Sequence, residues 1–224
     1  MTDFQTIELN KDARGVATLW LNRADKNNAF DAQVIGELNA ALAQVQDDAG
    51  IRFLILRGRG KHFSAGADLG WMRESAKLDY QANLADAHEL GELMQRLYQL
   101  PQPTLAVVQG AAFGGALGLI ACCDMAIGAR DALFCLSEVR IGLAPAVISP
   151  YVVKAIGERA TRAAHLDVTE LNPRLDVDQR TDVLEDALLD LVVVRVDLPR
   201  ALGGEQDQAV LGIDLAQQVV DRRV

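Results

Sequence analysis

The chain has 224 residues, half of them hydrophobic and 24% charged, which suits one substantial core and is not the composition of a disordered chain. A net charge of −9 with no Lys/Arg cluster argues against nucleic-acid binding, which rests on a positive surface. The three cysteines (Cys122, Cys123 and Cys135) fit neither zinc spacing nor a disulfide framework and read as buried, reduced thiols of a cytoplasmic protein.

Residues 1–10 are polar and acidic, so a secretory leader is not expected. No apolar run reaches the length of a membrane span. Residues 4–9 alternate loosely and predict a strand. Val16-Ala17-Thr18-Leu19-Trp20-Leu21 predicts a second, after a turn at Gly15. Asp31 suits the N-cap of a helix whose apolar face is Val34, Ile35, Leu38, Ala41, Leu42 and Val45. Phe53-Leu54-Ile55-Leu56 reads as a buried strand, ending in a basic, glycine-containing turn.

The order then repeats. Residues 81–100 are helical in pattern, with Leu84, Ala87, Leu90, Met94 and Leu97 on one stripe, and Pro101 and Pro103 close them. Residues 104–108 predict a strand, 110–115 a small-residue turn and 117–123 a short buried helix. Residues 125–127 and 133–135 predict two more strands. Strand pairs alternating with helices imply an α/β fold of repeated ββα units.

Three stretches carry chemical interest. Phe63-Ser64-Ala65-Gly66-Ala67-Asp68-Leu69 follows the buried strand, and its small residues allow close ligand approach and exposed backbone N–H groups; the plain alternative is a tight strand-to-helix connection. Gly110-Ala111-Ala112-Phe113-Gly114-Gly115-Ala116-Leu117-Gly118 also leads from a strand into a helix, whose first N–H groups are unpaired and lie at the positive end of its dipole. In Leu136-Ser137-Glu138-Val139-Arg140-Ile141-Gly142-Leu143-Ala144-Pro145 a carboxylate sits among apolar neighbours. Burial would raise its pKa and suit it to acid/base work; a salt bridge to Arg140 or a solvated loop is the plain alternative.

The order and spacing of these stretches resemble the crotonase (enoyl-CoA hydratase/isomerase) superfamily. Leu19-Trp20-Leu21-Asn22-Arg23 with Lys26-Asn27-Asn28-Ala29-Phe30 is similar to its opening motif. Within the superfamily, residues 136–150 and the Gly-Gly-Ala-Leu-Gly-Leu run most resemble methylglutaconyl-CoA hydratases of leucine breakdown. The resemblance implies the superfamily's spiral of ββα units with a C-terminal helical region. Residues 1–160 would form the core with the CoA-thioester site.

By the same resemblance the Ala67 and Gly115 amides form an oxyanion hole for the thioester carbonyl, each supplying roughly 3 to 4 kcal/mol, and Glu138 is the acid/base. Hydratases of the family carry a further glutamate where this chain has Gly118. Either Glu138 handles both proton steps of hydration, or the chain does other enolate chemistry such as double-bond isomerisation, or it is an impaired CoA-ligand binding protein. Ser64, Ala65, Asp68, Leu69, Gly114 and Gly118 are expected to line the substrate path, with Lys26 a phosphate partner or a solvated lysine. Trp71, Met72 and the following helix would shape the acyl pocket, while Met72, Leu84 and Leu93 suit plain core equally. His62 is expected to be an exposed turn residue. Coenzyme A enters as part of the substrate, so no separate cofactor or metal is expected.

The resemblance also implies a homotrimer or hexamer, assembled through a helical C-terminal part, in chains some tens of residues longer. Residues 161–224 depart from it. They contain no Phe, Trp, Tyr, Lys, Ser, Cys or Met, and read either as a divergent C-terminal part or as an out-of-frame reading of GC-rich DNA.

Overall fold

The structure, a computed structural model, describes residues 3–138, 142–165 and 193–196. Its main sheet contains β1 (Ile7–Lys11), β2 (Val16–Leu21), β3 (Phe53–Gly58), β4 (Thr104–Val108), β6 (Met125–Ala129) and β8 (Val193–Val196), in the order β1-β2-β3-β4-β6-β8. β1 runs antiparallel to β2, and every later neighbour is parallel. A second sheet pairs β5 (Ala111–Phe113) with β7 (Leu133–Cys135), also in parallel. Helices α1 (Ala32–Asp47), α2 (Leu69–Ser75), α3 (Tyr80–Tyr98), α4 (Gly115–Cys122) and α5 (Ser149–His165) follow their strands in chain order.

The alternation in β2 sends Ala17, Leu19 and Leu21 into the core, whereas β4, deep in the sheet, is buried at every position. β3 serves both faces: Leu54 and Leu56 join the main core, and Ile55 joins a smaller cluster with Leu105, Val107 and Ile127. On the half-buried side of β2, Arg57 and Arg59 lie 4.5 and 3.9 Å from the Trp20 ring. Burial, aided by the charge of Arg59, lowers the Arg57 pKa to about 10.

α1 forms as its pattern predicts. Asp31 accepts a hydrogen bond from Val34 N–H, and all six residues of the apolar face are buried. Burial raises the pKa of Cys122 and, to about 12, that of Cys123, so neither is a reactive thiol.

Four sequence expectations need correction. β1 starts at Ile7, because Glu37 of α1 takes the backbone amides of Gln5 (3.1 Å) and Thr6 (2.8 Å) and the Thr6 hydroxyl (2.7 Å) that a longer strand would present otherwise. The turn at 110–115 contains strand β5, paired through its backbone rather than announced by its side chains. α4 begins at Gly115 instead of Leu117. The stripe on α3 is buried only in its last turns, at Leu93, Met94 and Leu97; Leu84 and Ala87 are exposed.

Glu37 also yields a prediction. Burial raises its pKa, but the hydrogen bonds from Thr6, Gln33 and Gln5 outweigh that and leave it below the usual glutamate value. A depressed carboxylate contributes stability above its unfolded pKa and loses it as pH falls through the folded value. Glu37→Gln should therefore lower the urea midpoint at neutral pH, with the gap closing below about pH 4. A gap independent of pH would contradict this.

Of the C-terminal segment 161–224, the described pieces are the end of α5 and strand β8. The question of a divergent or out-of-frame tail otherwise lies outside the described residues. Among the described residues no helix is long and apolar enough to cross a membrane.

Candidate active site

The loop after β3 is folded back by its own small residues. Gly66 has φ +85°, and a β-carbon there would lie 2.7 Å from the Phe113 carbonyl oxygen, so only glycine lets this loop press against β5. Phe30 N–H donates to Gly66 O (2.8 Å), and Asp68 N–H donates to Phe30 O (2.7 Å). Phe30 thus holds the residues on either side of Ala67, in a parallel bridge that turns the Ala67 N–H away from it. That N–H has no acceptor among the described residues.

The loop is braced from beneath. The Ser64 hydroxyl donates to Asn28 O (2.8 Å) and accepts from Gly66 N–H (3.1 Å). Asn28, buried and at φ 53°, sends its amide nitrogen to the carbonyls of Arg59, His62 and Phe63. Arg23 joins Asp31 at 2.7 Å, Ala29 O at 2.9 Å and Asp68 at 3.9 Å. Asp68 caps α2. The amides of Trp71 and Gly70 and the charges of Lys26 and Arg23 hold its carboxyl below the usual range against the opposing effect of burial.

The second amide belongs to the first residue of α4. Gly114 stands at φ 54°, ψ −125°, a conformation for glycine, and donates its N–H to Cys135 O on β7 (2.8 Å). Gly115 N–H then falls in the first turn of the helix, where no intrahelical acceptor exists, and it has no other among the described residues. A β-carbon on Gly114 would meet Glu138 Oε1 at 2.9 Å, so the glutamate carboxylate lies directly against this turn. The Phe30 ring covers the other side, 3.3 Å from where a Gly115 β-carbon would be.

Ala67, Gly115 and Glu138 line one cavity of about 470 Å³. Its walls are mostly apolar, including Phe30, Trp71, Met72, Leu90 and Ile148. Two residues with unpaired backbone donors and one half-buried carboxylate thus border one largely apolar space, where such groups act more strongly than in water. The proposed Glu138–Arg140 salt bridge lies outside the described residues.

The remaining expected site residues are outside the cavity lining. Ser64 is fully buried, with N–H, C=O and hydroxyl all engaged internally, and Ala65 N–H donates to Asn27 O. Leu69 and Lys26 are exposed, and Lys26 lies close enough to Asp68 to stabilise its charge. His62 is half-buried rather than exposed: its Nδ1 accepts from Ala111 N–H (3.0 Å), which fixes the proton of the neutral ring on Nε2. Of the pocket-or-core residues, Met72 lines the cavity, Leu93 is core and Leu84 is exposed.

Gly118 is sealed. A β-carbon there would lie 2.3 Å from Ile148 Cγ2 and 3.0 Å from Met94 Sδ. Gly118→Glu should therefore not supply a second carboxylate. It should lower the thermal midpoint by about 10 °C through overpacking and a buried, unpartnered charge, with partial recovery when Ile148→Ala is added. An unchanged midpoint in circular-dichroism melting would show that the space is there.

Sequence reasoning missed Phe30 as the link between both amides, since its part is played by backbone as well as ring. It also missed Asn83 and Asp86, which line the cavity from α3.

The Enoyl-CoA hydratase/isomerase family model matches residues 11–174. The chain belongs to the enoyl-CoA hydratase/isomerase family. Relatives include an enoyl-CoA hydratase of Alternaria alternata, 30% identical over 87% of this chain and 64% of its own length. A crotonyl-CoA hydratase of Syntrophomonas wolfei is 34% identical over 63% and 54%. Among solved structures, an enoyl-CoA hydratase from Shewanella pealeana is 46% identical with a TM-score of 0.71, covering 83% of this chain and 74% of that one. The matched part of the chain spans about 54% to 64% of the length of these two curated relatives. The crotonase fold expected from the sequence is thus shared with structures of this family.

Proposed function

We propose that this chain binds a 2-enoyl-CoA thioester and adds water across its double bond. The observation that supports this is that Ala67, Gly115 and Glu138 line one apolar cavity while the Ala67 and Gly115 amides have no acceptor among the described residues. The thioester oxygen accepts both amides. Water adds to the β-carbon as its proton passes to Glu138, and the alkene electron pair moves through the carbonyl onto that oxygen. The enolate then collapses, its α-carbon taking the proton from Glu138, and a 3-hydroxyacyl-CoA leaves. The two amides act on the charge that develops, so they stabilise the transition state more than the substrate.

The sealed position at Gly118 favours a second reading, double-bond isomerisation. There Glu138 would carry a proton between the γ- and α-carbons, with the same enolate and no water. The assay that separates them incubates purified chain with crotonyl-CoA and with a 3-enoyl-CoA in ¹⁸O-water. Label in a 3-hydroxyacyl product supports hydration; a moved double bond without label supports isomerisation. Neither product from either substrate would refute both and leave a ligand-binding protein.

The narrower reading, 3-methylglutaconyl-CoA, calls for a cation or a set of hydrogen-bond donors for its distal carboxylate. No Lys, Arg or His is among the described lining residues. Assembly into a trimer or hexamer follows the family resemblance and is checked by light scattering of the full chain.

A further inference from the structure

Among its described lining residues the cavity is acidic as well as apolar. Its charged described lining residues are Glu138 and Asp86, and its other polar side chains there are Ser75 and Asn83. Glu138 stands at the amide end. Asp86 lies on α3, one turn after Asn83, whose amide nitrogen is used at home by the carbonyls of Leu78 and Asp79. Asp86 is half-buried, and its carboxylate has no hydrogen-bond or ion-pair partner among the described residues. An uncompensated carboxylate beside apolar walls repels a second negative charge more strongly than it would in water.

We propose that Asp86 is a specificity-determining residue that makes this cavity select CoA thioesters of neutral acyl chains over those ending in a carboxylate. The inference deepens the proposed function and rests on its placement of the acyl chain in this cavity. Asp86 needs no part in proton transfer. Its effect is on which acyl group is held.

The test uses two saturated ligands that are not turned over, pentanoyl-CoA and glutaryl-CoA, which have acyl chains of the same length. Calorimetric titration of the full chain should give a dissociation constant at least about tenfold larger for glutaryl-CoA. That ratio should shrink with added salt, because the repulsion crosses partly solvated space. Asp86→Asn should cut the ratio at least about threefold, and Asp86→Lys should cut it further.

Equal affinities in the unmodified chain would overturn the proposal and leave the proposed function standing. So would a ratio that Asp86→Asn leaves unaltered, since an apolar wall alone would then account for it. A loss of kcat on crotonyl-CoA in Asp86→Asn with the ratio intact would instead make it an acid/base or water-holding group. Binding of neither ligand would overturn both this inference and the thioester site beneath it.

Discussion

Glu138→Gln should lower kcat for the proposed enoyl-CoA hydration by about 10²- to 10⁴-fold while changing KM little. Glutamine retains the size and one oxygen of the side chain, so its contact with the Gly114 turn can persist. It cannot take a proton from water or return one to the α-carbon. The other carboxylate among the described lining residues is Asp86 on α3, whereas Glu138 lies against the Gly114 turn; the position where the family resemblance places a second glutamate is Gly118, and Ile148 and Met94 fill the space above it. The loss should therefore fall on hydration and isomerisation alike. Steady-state kinetics, with thermal melting as a control for folding, measures it. Equal rates for the two chains would remove Glu138 from the chemistry.

Gly115→Pro should lower kcat by about 10²- to 10³-fold by deleting one of the two proposed oxyanion donors. Proline suits the first position of a helix, because the N–H it lacks has no intrahelical partner. Its new β-carbon would meet the Phe30 ring at 3.3 to 3.4 Å, a contact that a small ring shift relieves. The control is Gly115→Ala, which adds the same β-carbon and retains the N–H. If the alanine chain loses as much as the proline chain, the effect comes from crowding Phe30 and not from the missing donor.

These two predictions draw on different parts of the molecule, and the sequence announces them unequally. α1 was legible throughout, because one periodic face, one capping aspartate and one buried stripe all agree. Gly66, Gly114 and Gly115 could be seen as small residues after strands, but not their particular duties. Those depend on a carbonyl of β5, a carboxylate after β7 and a ring before α1, each far away in the chain. β5 was hidden in a glycine- and alanine-rich stretch because its pairing partners, not its side chains, define it.

α3 lines the cavity, as expected of it, but its stripe divides between two tasks. A hydrophobic stripe marks a face that avoids water, but it does not distinguish a core from a substrate cavity. Leu93, Met94 and Leu97 pack into the core, while Ala87 and Leu90, two turns earlier, border open space. His62 reads as exposed from the sequence because its acceptor role requires β5 to be in place. Residues 139–141, in the motif that carries Glu138, lie outside the described residues.

The most direct test of the central claim is infrared difference spectroscopy of crotonyl-CoA, ¹³C-labelled at the thioester carbonyl, bound to Glu138→Gln. Two amides donating to one oxygen polarise the carbonyl, so its stretch should move to lower frequency than in water, and adding Gly115→Pro should reverse part of the shift. A bound carbonyl with the frequency it has in water, unaffected by the second substitution, would contradict the convergence of Ala67 and Gly115 on the thioester.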